Sequence, residues 1–142
     1  MSGPTPTHIV VHGEIKNVSG GIPANLNLSM YEGAPLMIDS TPSPTQFTQT
    51  IAVHGLYGGL VYNIGRIKWV NLWTTDCKVA TKILKAGDPV VWENMESMVT
   101  FDKCEDTLPL APGDLFYADA QIHANDDGTL SFKAQITWNR AN

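Results

Sequence analysis

The sequence predicts an all-β protein, an antiparallel two-sheet β-sandwich of jelly-roll type, with a closed β-barrel as the alternative. Three observations predict it. Apolar and polar residues alternate with the two-residue period of a half-buried strand through most of the chain. Clusters of Gly, Pro, Asn, Asp and Ser interrupt that alternation about every eight to twelve residues, the spacing of a sandwich or barrel. No second type of element recurs that would cover the faces of a parallel sheet.

The 142 residues give room for one domain with a proper core, residues 1–142, in which the Pro-containing stretch 1–6 is an N-terminal arm. Nine basic and fourteen acidic residues give a net charge of -5, and the basic residues are scattered. A nucleic-acid footprint, which needs them clustered, is not expected. No window has the eighteen or so consecutive apolar residues of a membrane span, and the start lacks a charged and apolar leader, so the expected location is the cytoplasm. Cys77 and Cys104 are the two cysteines; in a cytosolic setting they are expected to stay thiols.

The first strand is expected from Thr7 to Lys16, with Ile9, Val11, Gly13 and Ile15 inside and His8, Val10, His12 and Glu14 outside. His8 and His12 would stand about 13 Å apart at 3.3 Å per residue, too far to share a metal ion. After a turn at Val18–Pro23, Ala24 to Met30 alternates with Leu26, Leu28 and Met30 inside. Asn17-Val-Ser and Asn27-Leu-Ser fit the glycosylation sequon, which carries weight only with a secretory leader.

A short strand is expected at Leu36–Ile38, then a surface loop at Ser40-Thr-Pro-Ser-Pro44, and Gln46–His54 alternates again. Gly55-Leu-Tyr-Gly-Gly59 holds three glycines in five residues, a density that marks a bulge or a corner between sheets, or a close approach of ligand to backbone. The β-rich run Leu60–Trp73 follows. Cys77–Leu84 has some helical spacing in Val79, Ala80, Ile83 and Leu84, but its β-branched residues favour a strand. Val90–Phe101 is expected as a strand and Glu105–Asp114 as a loop.

Two strands close the chain. Phe116, Ala118, Ala120, Ile122 and Ala124 alternate with Tyr117, Asp119, Gln121 and His123; Leu130, Phe132, Ala134, Ile136 and Trp138 alternate with Ser131, Lys133, Gln135 and Thr137. Every apolar residue must oppose another, so paired residue numbers have an even sum. Pairing Asn125 with Thr129 leaves Asp126-Asp127-Gly128 as a three-residue loop, with glycine at the left-handed position. Small then faces large on the inner side, which calls for a second layer of side chains above it.

No nucleophile elbow, phosphate loop, metalloprotease helix or dinucleotide fingerprint occurs, and no cofactor is expected. The four histidines have no close spacing for a dedicated metal site, although Asp126 and Asp127 offer carboxylates to a calcium ion if they are not simply turn residues. Rings at Tyr31, Tyr57 and Tyr117 are placed to stack on the apolar face of a sugar, with Asn, Asp and His giving directional hydrogen bonds. The run Gly58-Gly-Leu-Val-Tyr-Asn-Ile-Gly65, after His54, resembles a strand of the small galactose-binding bacterial lectins, and the late acidic turn resembles their calcium loop. The resemblance spans about a dozen of 142 residues, and no residue role is carried over from it.

The leading functional expectation is a non-catalytic carbohydrate-binding protein, lectin-like and homo-oligomeric through exposed sheet edges. Its candidate ligand-binding residues are His54, Tyr57 and Asn63 at the glycine corner, and Tyr117, Asp119 and His123 on the outer face of the hairpin. One alternative is a small β-barrel isomerase or cyclase acting on a hydrophobic molecule, with an Asp or Glu in an apolar cavity as acid-base, Asp119 being a candidate if it turns inward. Another is a membrane-active or self-assembling protein in which Ser40–Thr50 rearranges.

Overall fold

The computed structural model describes residues 8–18, 24–27, 36–39, 45–52, 57–111 and 114–139. In chain order these form β1 (His8–Val18), β2 (Ala24–Asn27), β3 (Leu36–Asp39), β4 (Thr45–Ala52), β5 (Tyr57–Ile64), β6 (Ile67–Thr74), β7 (Lys78–Lys85), α1 (Trp92–Glu96), β8 (Lys103–Ala111), β9 (Asp114–Ala124) and β10 (Leu130–Asn139). One sheet has the order β3-β4-β1-β10-β9-β8 and the other β2-β5-β6-β7, so the chain is a two-sheet sandwich and not a closed barrel. Among the described residues all strand pairings are antiparallel except one: β1 lies parallel to β10, with Val11 opposite Leu130 and Val18 opposite Thr137.

The terminal hairpin has the register derived from its pattern, Ala124 with Leu130 through Phe116 with Trp138. Its loop closes with Asn125 N–H donating to Thr129 O at 2.8 Å, and Gly128 takes φ +87°, a conformation that costs a side-chain-bearing residue steric strain. The layer above the small residues comes from the other sheet. Trp73 of β6 reaches across to Phe132 of β10, ring centroids 4.8 Å apart. Trp69, Trp73, Leu60, Ile64 and Ile67 join Val11, Phe116, Ala118, Phe132 and Ile136 in one core. Trp138, expected inside, packs on this core half-buried, stacked on Phe116 at 5.3 Å.

Three expectations need correction. Val90–Phe101 is not a strand: Trp92-Glu-Asn-Met-Glu96 forms one helical turn, because none of these five residues is β-branched, while the valines on either side had set the expected pattern. Glu105–Ala111 is not a loop: it belongs to β8, which runs through Pro109, a residue tolerated because β8 is an edge strand with a neighbour on one side alone. The glycines at 58 and 59 do not turn a corner either; they lie buried inside β5. A methyl group on Gly59 would come within 2.8 Å of the Trp92 ring and 3.3 Å of the Asn71 carbonyl oxygen, so the close approach glycine allows is that of a tryptophan.

That tryptophan belongs to a second apolar cluster outside the four-stranded sheet. Val61, Val70, Leu72, Ala80 and Met95 are buried there, with Trp92, Val90, Met98 and Val99 packed against them. The sheet is thus covered on both faces. Its open side is managed as well: β7 carries Phe101 O on Val79 N, the Cys104 thiol on Thr81 O at 3.7 Å, and the Asp106 carboxylate on Ile83 N at 2.7 Å. Groups that would otherwise invite another strand are met by side chains and a single bridge.

Inside the core a buried polar relay runs from Trp69 Nε1 to Thr81 Oγ1 at 2.8 Å, and from Thr81 Oγ1 to Asn71 Oδ1 at 2.9 Å. Each such bond contributes about 1 kcal/mol net, and removing one partner so that the other is buried unsatisfied costs about 1–3 kcal/mol. Tyr62 is buried beside Trp69, and burial pushes its hydroxyl pKa up to about 12.

Candidate functional site

Because side chains alternate along a strand, the register of the six-stranded sheet also arranges its outer face into rows. One row reads Glu105 of β8, Asp119 of β9, Gln135 of β10 and Lys16 of β1. The next reads Lys103, Gln121, Lys133 and Glu14. The third reads His123, Ser131, His12 and Thr48 of β4. Rows stand about 7 Å apart along the strands and neighbours within a row about 4.8 Å apart.

Two depressions open on this face. One, of about 270 Å³, is lined by Glu14, Lys16, Asp119, Gln121, Lys133, Ala134 and Gln135. The other, of about 260 Å³, is lined by His12, Gly13, Glu14, Thr48, Ser131, Phe132 and Lys133. Together they present carboxylate and amide acceptors beside ammonium, amide and hydroxyl donors, the equipment for holding a polyhydroxylated molecule in one orientation.

Asp119 is half-buried, and burial first, then the Glu105 carboxylate opposite it, raises its pKa. A hydrogen bond to Glu105 is the leading reason that the Tyr117 hydroxyl pKa is pushed up to about 12. Tyr117 stands one row beyond the first depression and does not line it. His123 is exposed next to Ser131, at the edge of the second depression.

Of the predicted site residues, Tyr117, Asp119 and His123 therefore share one open face. Tyr57 and Asn63 lie elsewhere: both are on β5, in the other sheet, and Tyr57 packs half-buried against the second apolar cluster. His54 and Tyr31 lie outside the described residues. Asp119 faces outward, not into the apolar interior, so it is not the inward-turned acid-base that the isomerase alternative could have used. Of the segment invoked for rearrangement, Thr45–Thr50 is held in β4 between β1 and β3, and 40–44 lies outside the described residues.

The acidic turn uses its side chains on itself. Asp127 accepts from Thr129 N at 3.0 Å and from Thr129 Oγ1 at 2.7 Å, which lowers its pKa, and Asn125 Nδ2 donates to Thr129 and Ser131 hydroxyls at 2.9 Å each. Among the described residues no three His, Cys, Asp or Glu side chains gather as a metal site. Cys77 and Cys104 are both free thiols; burial, then Asp102, raises the pKa of Cys77. No described helix is long and apolar enough to cross a membrane.

Sequence reasoning missed His12, Glu14, Lys16, Lys133 and Gln135 as site residues. The alternation had marked His12, Glu14, Lys133 and Gln135 as outward, but nothing local to either strand says that β1 lies beside β10.

No protein-family model matches the chain, and no curated protein does. Two crystal structures of a lectin from Xerocomus chrysenteron are similar in fold. The first, of a variant with three methionine substitutions, has a TM-score of 0.56 at 7% identity, covering 93% of this chain and 98% of that one. The second, of the wild-type lectin, has a TM-score of 0.54 at 8% identity, covering 93% and 99%. The chain has a lectin-like β-sandwich fold.

Proposed function

We propose that this chain is a non-catalytic carbohydrate-binding protein whose binding surface is the outer face of β1, β9 and β10. The observation that carries the reading is the pair of depressions on that face, where Asp119, Gln135, Lys133, Glu14 and His12 converge as donors and acceptors. The fold likeness to a fungal lectin supports it at the level of architecture. Asp119 serves as an acceptor for sugar hydroxyls, since an ionised carboxylate hydrogen bond is among the strong ones.

The test is a glycan-array screen of the full chain beside the variant Asp119→Asn/Gln135→Ala, both checked for the same unfolding temperature. Selective glycan binding that falls at least tenfold in the variant is the expected result. Binding to no glycan, or binding indifferent to both substitutions, overturns the proposal.

A further inference from the structure

The two depressions are not independent. Glu14 and Lys133 line both, and they are direct partners in the parallel register of β1 and β10. The first depression extends from this shared pair toward Lys16, Gln135 and Asp119, and the second toward His12, Ser131 and Thr48. Gln135 and Ser131 are four residues apart on one strand, so the ends of the two depressions are separated by about 13 Å along β10.

Size favours reading the two together. Small-molecule pockets run from about 300 Å³ upward. At about 270 and 260 Å³ each depression lies at the bottom of that range, and the two joined lie well inside it. The charges decide what kind of molecule fits. Glu14 and Asp119 face Lys16 and Lys133 around the first depression, two of each sign, so the lining carries no excess of either charge to favour a simple anion or cation. The second adds one histidine and two hydroxyl-bearing residues.

Building on the carbohydrate reading, we propose that the depressions are two adjoining subsites of a single groove along β1 and β10, which takes an uncharged oligosaccharide of at least two sugar residues. Glu14 and Lys133 stand at the junction and touch both residues. The charged end, at Asp119, Lys16 and Gln135, and the hydroxyl end, at His12, Ser131 and Thr48, give the groove a direction, so the two sugars are not interchangeable.

The test titrates the full chain calorimetrically with matched probes: glucose, cellobiose and cellotriose; galactose and lactose; mannose and mannobiose; and 3′-sialyllactose as an anionic control. For at least one series the disaccharide is expected to bind ten or more times tighter than its monosaccharide, with sialyllactose no tighter than lactose. Gln135→Ala and Ser131→Ala, at opposite ends, should each abolish the disaccharide's advantage, while only one of them weakens the monosaccharide. Equal affinity for monosaccharide and disaccharide, or sensitivity to one end alone, overturns the two-subsite groove and leaves the carbohydrate reading standing. Tighter binding of sialyllactose overturns the preference for uncharged ligands. If neither these probes nor the array detects binding, the carbohydrate reading falls and takes the groove with it.

Discussion

On one side of the sandwich, β5, β6 and β7 turn Val61, Val70, Leu72 and Ala80 outward and bury them beneath Trp92 and Met95; on the other, β1, β9 and β10 turn His12, Glu14, Asp119, Gln121, Lys133 and Gln135 outward to water. Both sheets share the same inner core, so the contrast is between their backs. A sheet packed on two faces must be apolar at nearly every position, and β6 is buried at seven of its eight residues. A sheet packed on one face is free to place chemistry on the other, and β10 alternates buried with part-exposed side chains through most of its length. The covered back contributes stability, and the bare back is where a ligand can be met.

The contrast can be broken most severely by uncovering the apolar back. Trp92→Ala removes a half-buried indole from the second cluster and should cost about 3 kcal/mol, the low end for aromatic truncation, in chemical denaturation. Gln135→Ala on the bare back should change stability by less than about 0.5 kcal/mol. Comparable losses for the two would show that the faces do not differ as described.

Gly59→Ala should cost about 1–3 kcal/mol, because its methyl meets the Trp92 ring at 2.8 Å and backbone at 3.3 Å. In a Trp92→Ala background most of that cost should disappear, and a double-mutant cycle reads the coupling. Additive losses would place the strain elsewhere. Gly128→Ala, at φ +87° with open space around it, should cost about 1 kcal/mol from backbone strain alone, measured the same way.

The smallest effect sharpens the bare face. Folding raises the pKa of Asp119 above its ordinary 3.8, so the folded protein holds that proton more tightly than the unfolded chain. Its contribution to stability is complete below pH 3.8 and is lost as pH rises from there through the raised value. Asp119→Asn should therefore gain in melting temperature relative to wild type as pH climbs through that interval. A difference independent of pH would remove Asp119 from the list of perturbed carboxyls.

The same contrast explains what could be read from the sequence. The hairpin was legible to the residue, because Phe116–Ala124 and Leu130–Trp138 each have one wet side and the turn Asp126-Asp127-Gly128 admits a single register. The doubly covered sheet was not: Leu60–Trp73 reads as one apolar run, and its division at Gly65-Arg66 into two strands leaves little periodic trace. The covering helix escaped because one turn is too short to show a period. The part of the candidate site on the hairpin was visible as outward residues, Asp119 and Gln121 of β9 and Ser131, Lys133 and Gln135 of β10. The rest depended on the placement of β1, and adjacency between distant strands is set by how the whole core closes.

That placement has a consequence for how the molecule is made. β1 sits between β4 and β10, and Val11 finds its partner Leu130 only after all the residues between them have been made. At about 5–20 residues per second, a ribosome leaves one edge of β1 without its final neighbour for on the order of ten seconds. During that interval β1 can pair with β4 alone, leaving its other edge of backbone N–H and C=O groups open and the inner face of Val11 and Ile15 without the neighbour that β10 supplies, an edge on which another strand could pair.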